Sequence, residues 1–332
     1  MRATSYRYDS ALGGAMSSEG LVLALDHLGD DLDIEGAALE PLGFTVVRAS
    51  QDPEALDRQL SRTDGLLTEY SKIDAALLER APLCRAVVTY TVGHDQVDLK
   101  AARRRGVVVA NIPGYCTEEV ADHAMALVLA LSRGVLHGDS IVRSDSWGVE
   151  RLGELHRLRG RTLGLVGFGR IARAVASRGR AFGLRIVAFD PGIPADGRPR
   201  GEAEFVEDLR DLLGTADIVS LHAPLLPDTE GLIDRAALAA MKPGSFLVNT
   251  SRGKLIDMDG LLHALDHGPL VGAALDVFPT EPPDVARLDR PDLILTPHMA
   301  YYSIESIREA KAMAAGAMAE ALGSGAPSNR LA

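Results

Sequence analysis

The sequence predicts an α/β protein of two domains, each built on a doubly wound parallel sheet. Three observations carry this. The chain has 332 residues, more than one hydrophobic core ordinarily supports. Short β-rich runs alternate with helical stretches along nearly its whole length. That alternation is broken once, by a long helical stretch, and then resumes.

The first series runs "LVLAL" (21–25), a helix-like "DIEGAALEPLG", "FTVVR" (44–48), "PEALDRQLS", "GLLT" (65–68), "IDAALLERA", "AVVTY" (86–90), "DLKAARRRG" and "VVVAN" (107–111). Five apolar strands separated by helices of roughly ten residues make one complete parallel sheet. The interruption is "EEVADHAMALVLALSRGVLHGDSIVRS", with Val120, Ala124, Leu127, Val128 and Leu131 on one stripe. So broad an apolar face suggests burial against another domain or another subunit. The second series runs "TLGLVG" (162–167), "RIVAFD" (185–190), "DIVSLHAP" (217–224), "SFLVNTS" (245–251), "LVGAALDVF" (270–278) and "DLILTPH" (292–298), and an amphipathic helix closes the chain.

Composition excludes several classes. Hydrophobic residues at 46% and charged ones at 24% fit an ordinary soluble globular protein. A net charge of −11 argues against nucleic acid or an anionic membrane as partner, since both are negative. Arginine outnumbers acids between Arg151 and Arg200, a local excess read as a solvated helix face. Cys84 and Cys116 supply neither a disulfide framework nor paired metal-ligand spacing, and they fit a reducing, cytoplasmic compartment. No apolar run reaches the roughly 18 residues of a membrane span. Residues 1–20 are polar and rich in Gly and Ser, without a signal-peptide core, and read as a flexible leader.

"LGLVGFGRIARAVA" follows a strand and opens a helix. Gly167 permits the tight turn and Gly169 lets backbone approach a pyrophosphate. Ala172 is small enough for close helix–strand packing. Arg170 and Ile171 lie at the helix N-terminus, whose N–H groups and dipole favour phosphate. Asp190 ends the next strand 18 residues beyond Ala172, where a carboxylate accepts from the ribose hydroxyls and repels a 2′-phosphate, so NAD is the expected cofactor. The alternatives are a packing turn followed by a capping Asp, or a methyltransferase using the same α/β logic.

Arg252, Glu281 and His298 stand at the carboxyl ends of successive strands in this second series. Open α/β sheets bind ligands there. Carbonyl reduction needs a proton donor for the oxygen, a carboxylate to keep that donor charged and a cation for an acid substrate, and these three residues meet the three needs. A metal centre finds no comparable set. His263 and His267 share a helix face at i, i+4 but have no third ligand, and read as exposed. His94 is the other candidate functional histidine, with surface placement as its alternative.

The segments "GHDQVDLKAA", "NIPGYCTEEVADHAMALVLAL", "LRGRTLGLVGFGRIARAVA", "LHAPLLPDTEGLI", "MKPGSFLVNTSRGKLID", "AALDVFPTEPP" and "LTPHMA" stand in an order that resembles the D-isomer-specific 2-hydroxyacid dehydrogenase family over residues 21–325. The tail "TPHMAYYS" is similar to the branch that includes the C-terminal-binding-protein corepressors. The resemblance implies a flavodoxin-like substrate domain over residues 21–112 and 299–332, with a Rossmann NAD-binding domain inserted over 113–298 and a dimerisation helix at 117–136. It implies that Arg252 clamps the substrate carboxylate, that His298 transfers the proton, and that Glu281 bonds His298 in favour of the imidazolium. Val92 and Gly93 would bind the carboxylate through backbone N–H groups. Asp276 would sit near the nicotinamide, His222, Ala223 and Pro224 would line the adenosine side, and Thr250 would join the cofactor contacts. Tyr301, a bulky aromatic, would pack against a larger or aromatic 2-oxo acid. Interconversion of a 2-oxo acid and a D-2-hydroxy acid by an NAD-dependent homodimer is the implied activity. An NAD-sensing scaffold of little turnover, or a reductase of an unusual acid such as a phosphonate, are its rivals.

Overall fold

The structure, a computed structural model, describes residues 20–332 except 27 and 30. All but Gly20 of the leader read over residues 1–20 therefore lies outside the described residues. The chain divides into two compact units, one formed by the described part of Met1–Pro113 with Arg308–Ala332, the other by Gly114–Ile307.

The first unit carries β1 (Gly20–Ala24), β2 (Phe44–Arg48), β3 (Gly65–Thr68), β4 (Ala86–Thr89) and β5 (Val108–Ala110), with α1 (Asp33–Leu39), α2 (Pro53–Leu60), α3 (Ala75–Arg80) and α4 (Leu99–Arg105) between them. All pairings are parallel, in the order β2-β1-β3-β4-β5. This is the flavodoxin-like order, reversing between β1 and β3. "GLLT" and "AVVT" are buried at every position, which is why they read as unbroken apolar runs and not as alternating ones. Asp52, Asp74 and Asp98 begin α2, α3 and α4 by accepting N–H bonds from Ala55, Leu77 and Ala101.

The second unit begins with α5 (Thr117–Arg133) and α6 (Val135–Arg143). It continues with β6 (Thr162–Val166), α7 (Arg170–Ala181), β7 (Arg185–Phe189), β8 (Glu204–Phe205), α8 (Leu209–Thr215), β9 (Ile218–Leu221), α9 (Arg235–Ala239), β10 (Ser245–Asn249), α10 (Met258–His267), β11 (Leu270–Leu275) and β12 (Leu293–Leu295). Its seven parallel strands run β12-β11-β10-β9-β6-β7-β8. That is the Rossmann order with one further strand, reversing between β6 and β9. β8 is the one strand the alternation does not announce, because two residues are too few to carry a period. The last helix, α11 (Ile304–Gly323), contains the second boundary between the units.

Three differences from the sequence reading have physical causes. The helix expected over 117–136 ends at Arg133, since Gly134 adopts φ 59° as its C-cap and α6 leaves at 59°. Its stripe is covered within its own unit: Ala124, Leu127 and Val128 share a core with Leu163, Leu165, Val175 and Ala274 from β6, α7 and β11. Neither a second domain nor a second subunit is needed for that burial. The second boundary falls after Ile307 where the sequence suggested 298, because Met299, Ala300 and Ser303 are hydrogen-bonded to Asp276 and Glu119 of the second unit.

Four arginines of the arginine-rich stretch are held by acids. Arg173 pairs with Glu202, Arg178 with Glu118 and Asp122, Arg185 with Glu204 and Arg198 with Glu207. Among the described residues, no single helix is long and apolar enough to cross a membrane; only the bent α5–α6 pair passes that test jointly, and α5 is spoken for by the core.

Candidate active site

The end of β6 and the start of α7 form the cofactor side. Gly167 has φ 86°, and a Cβ on it would lie 2.8 Å from the backbone of His222 and Ala223, so no other residue fits this turn. Gly169, the N-cap of α7, faces open space: its added Cβ meets nothing within 4 Å. Arg170 and Ile171 open the helix beyond it, Arg170 exposed and Ile171 half-buried. Asp190 follows β7, and its two oxygens accept N–H bonds from Phe168 (2.8 Å) and Gly192 (2.9 Å). The carboxylate therefore holds the glycine turn in shape and keeps lone pairs for further donors. His222 closes the neighbouring strand, its Nε2 2.9 Å from Ser220 Oγ. Burial pushes its imidazole down to about 4, so it is neutral at pH 7. Ala223 accepts from Ser251 Oγ at 2.6 Å, and Pro224 is exposed beside it.

An open glycine before a helix N-terminus, a carboxylate on the adjoining strand and a buried Thr250 hydroxyl without a hydrogen-bond partner suit a dinucleotide. An unsatisfied buried hydroxyl is costly unless something else bonds it. The residues present fit the group.

β10, β11 and β12 are neighbours, so the loops leaving their carboxyl ends meet. Arg252 follows β10, with one guanidinium nitrogen donating to Ser251 O at 2.9 Å and its own carbonyl held by Asn249 Nδ2. Gly253 is what brings this loop onto the next: a Cβ there would stand 1.9 Å from the carbonyl carbon of Phe278. The Phe278 N–H donates to Glu281 Oε1 at 2.9 Å, and Glu281 Oε2 lies 2.7 Å from His298 Nδ1. Burial raises the Glu281 carboxyl, but the bonds from His298 and Phe278, with the charges of His298 and Arg252, outweigh it and hold the group below its ordinary value. His298 itself has φ 53°, a region that costs a non-glycine residue free energy and clusters at functional sites. The Tyr301 ring stands edge-on to the His298 ring, centroids 6.2 Å apart.

Arg252, Glu281 and His298 thus lie in one cluster. Asp276, expected near the nicotinamide, has no exposure; its carboxylate takes a hydrogen bond from Thr296 Oγ1 and two N–H bonds from Met299 and Ala300. Val92 and Gly93 follow β4 in the first unit, where Asn111 Nδ2 and Thr91 Oγ1 donate to their carbonyls. His94 beside them is half-buried, with Nδ1 enclosed and lacking a partner. His263 and His267 are exposed and stack at 4.9 Å. The sequence reading missed His123 and Thr296, which touch one another at 3.1 Å. Their signal was a histidine and a threonine within otherwise apolar runs.

Residues 125–300 match the NAD binding domain of the D-isomer specific 2-hydroxyacid dehydrogenases. The chain is 42% identical over 283 residues to the glyoxylate reductase of Korarchaeum cryptofilum, covering 83% of this chain and 82% of that one. It is 37% identical over 269 residues to the glyoxylate reductase of Thermococcus litoralis, covering 77% and 81%. The crystal structure of a glyoxylate reductase from Paecilomyes thermophila superposes with a TM-score of 0.84 at 25% identity, over 95% of this chain and 99% of that one.

Proposed function

This chain belongs to the D-isomer-specific 2-hydroxyacid dehydrogenase family, and from that premise we propose which residues carry out its NAD-dependent interconversion of a 2-oxo acid and a D-2-hydroxy acid. The observation that supports the assignment best is the 2.7 Å bond between Glu281 and His298 Nδ1, beside Arg252 on adjoining strand ends.

When bound, NADH supplies the hydride to the carbonyl carbon. Nδ1–H of His298 donates to Glu281, which fixes the ring and makes Nε2 the nitrogen that gives its proton to the carbonyl oxygen. In the oxidative direction the same nitrogen removes the hydroxyl proton. Glu281, ionised through the neutral range, stabilises the imidazolium that this requires. Arg252 holds the substrate carboxylate and polarises the carbonyl. Asp190 binds the adenosine ribose, Gly169 and the start of α7 receive the pyrophosphate, and Thr250 contributes its hydroxyl.

Because the relatives named are glyoxylate reductases, glyoxylate heads the candidate substrates. Tyr301 beside His298 favours an aromatic 2-oxo acid as the second. A homodimer formed through α6 is also proposed: Val135, Leu136 and Val142 on it, with Trp147 and Val149 beyond, are exposed large apolar residues. The free, buried Cys84 and Cys116 suit a cytoplasmic setting. His298→Ala is expected to lower reduction by about 10²–10⁴-fold with NADH binding retained; stopped-flow turnover together with a fluorescence titration of NADH checks both parts.

A further inference from the structure

The proposed acid–base histidine lies in a segment that is strapped at both ends to one helix, α5. On its N-terminal side, Thr296 Oγ1 lies 2.6 Å from Asp276 Oδ1 and 3.1 Å from His123 Nε2. A hydroxyl has one proton, and an ionised carboxylate can only accept, so the Thr296 hydrogen goes to Asp276. The contact with His123 must then run the other way: His123 carries its proton on Nε2 and donates to Thr296. On the C-terminal side, Ser303 Oγ donates to Glu119 at 2.8 Å, one turn earlier on the same helix.

Between these two straps the segment is wrapped around Asp276. Its carboxylate accepts from Thr296, Met299 N and Ala300 N, and its backbone carbonyl accepts from His298 N at 2.8 Å. These bonds flank and include the one residue of the segment held at positive φ, His298. Such a conformation persists only where its surroundings over-determine it. Asp276 is wholly buried and His123 Nε2 is 3.6 Å from its Oδ1, and the chain His123–Thr296–Asp276, with His123 and Thr296 half-buried, lies within the same unit that carries the glycine turn.

We propose that α5 sets the position of His298, with His123 as a positioning residue that acts through Thr296 and Asp276. His123 does not itself exchange a proton with substrate. Its task is to satisfy the second face of the Thr296 hydroxyl, so that the hydroxyl keeps donating to Asp276 and the loop keeps His298 in its strained conformation, in line with Glu281. This rests on the acid–base role assigned to His298.

The test is a set of steady-state measurements on the full-length protein: His123→Leu, His123→Gln, Thr296→Val and the double variant His123→Leu with Thr296→Val, each with NADH affinity measured separately. His123→Leu and Thr296→Val are expected to lower kcat by roughly 10–100-fold, as a small displacement of a reacting group does, with KM for the 2-oxo acid and NADH affinity changed far less. His123→Gln, whose amide can donate to Thr296, restores most of kcat. The double variant loses no more than the worse single one, because both break one chain. Multiplicative losses, or a glutamine variant no better than leucine, would overturn the proposal. So would kcat unchanged in His123→Leu. If His298→Ala is also fully active, the acid–base assignment has failed; if His298→Ala is inactive and the His123 variants are normal, only the positioning role has.

Discussion

His298 and Glu281 act as a pair only while Glu281 is ionised. Burial alone would favour its neutral form, yet the His298 and Phe278 donors with the neighbouring positive charges hold it below the ordinary value of 4.5. The sign follows: this carboxylate contributes stability above its unfolded value and loses it as pH falls through the lower native one. Reduction should therefore keep its rate down to about pH 5 and weaken only below the ordinary carboxylate value. Glu281→Gln should remove that acid limb and cost about 10–100-fold in kcat, less than His298→Ala; a pH–rate profile of both variants decides it. His222 has the opposite charge type. It is neutral in the fold, with its value at about 4, and takes up a proton near 6.5 when unfolded. Its contribution is complete above 6.5 and is lost as pH falls towards 4, by at most about 1.4 kcal/mol per pH unit. Denaturation midpoints of His222→Gln should lose that slope. Asp190→Ala should raise activity with NADPH relative to NADH. It should also cost about 1–3 kcal/mol, since the carboxylate holds two backbone N–H groups; kinetics with both cofactors and a urea melt separate the two effects.

At the scale of elements, three glycines make contrasting claims. Gly253→Ala would drive a methyl into the Phe278 backbone, which no rotamer can relieve, so a loss of more than about 2 kcal/mol and of activity is expected. Gly169→Ala meets open space and should leave stability within roughly 0.5 kcal/mol, while the methyl stands where the pyrophosphate is to lie and lowers NADH affinity at least about tenfold. Gly134 ends α5 by its positive φ, and that is the element the sequence misjudged. Gly134 after Arg133 is a local stop signal, but the apolar period runs on past it and does not tell that the following helix leaves at 59°. The other strands were legible because fully buried parallel strands read as apolar runs, whereas α8, α9 and α10 went unread between the strands of the second series although Asp208, Asp234 and Asp257 cap their starts. The two-residue β8 had no period to read. At the site, Arg252, Glu281 and His298 were legible as polar residues at strand ends. The burial of Asp276 was not, being a product of tertiary packing, nor was the bond from His123 to Thr296, which joins residues 173 apart in the chain.

Across the whole molecule the net charge is −11, and Arg173, Arg178, Arg185 and Arg198 are each paired with acids. The apolar surface of α6, with Val135, Leu136 and Val142 exposed beyond half, should be covered in a homodimer. Sedimentation showing only the 35.3 kDa species would contradict that. The strand-end residues of the second unit carry the proposed reaction, so the most direct measurement is NADH oxidation by the purified protein against a panel of 2-oxo acids. The panel runs from glyoxylate and pyruvate to phenylpyruvate and phosphonopyruvate, for the native chain and for His298→Ala. Turnover of at least one acid by the native protein, with a loss of about 10²–10⁴-fold in the variant, is the predicted result. Turnover that survives the loss of His298, or tight NADH binding with no turnover on any acid, would contradict it.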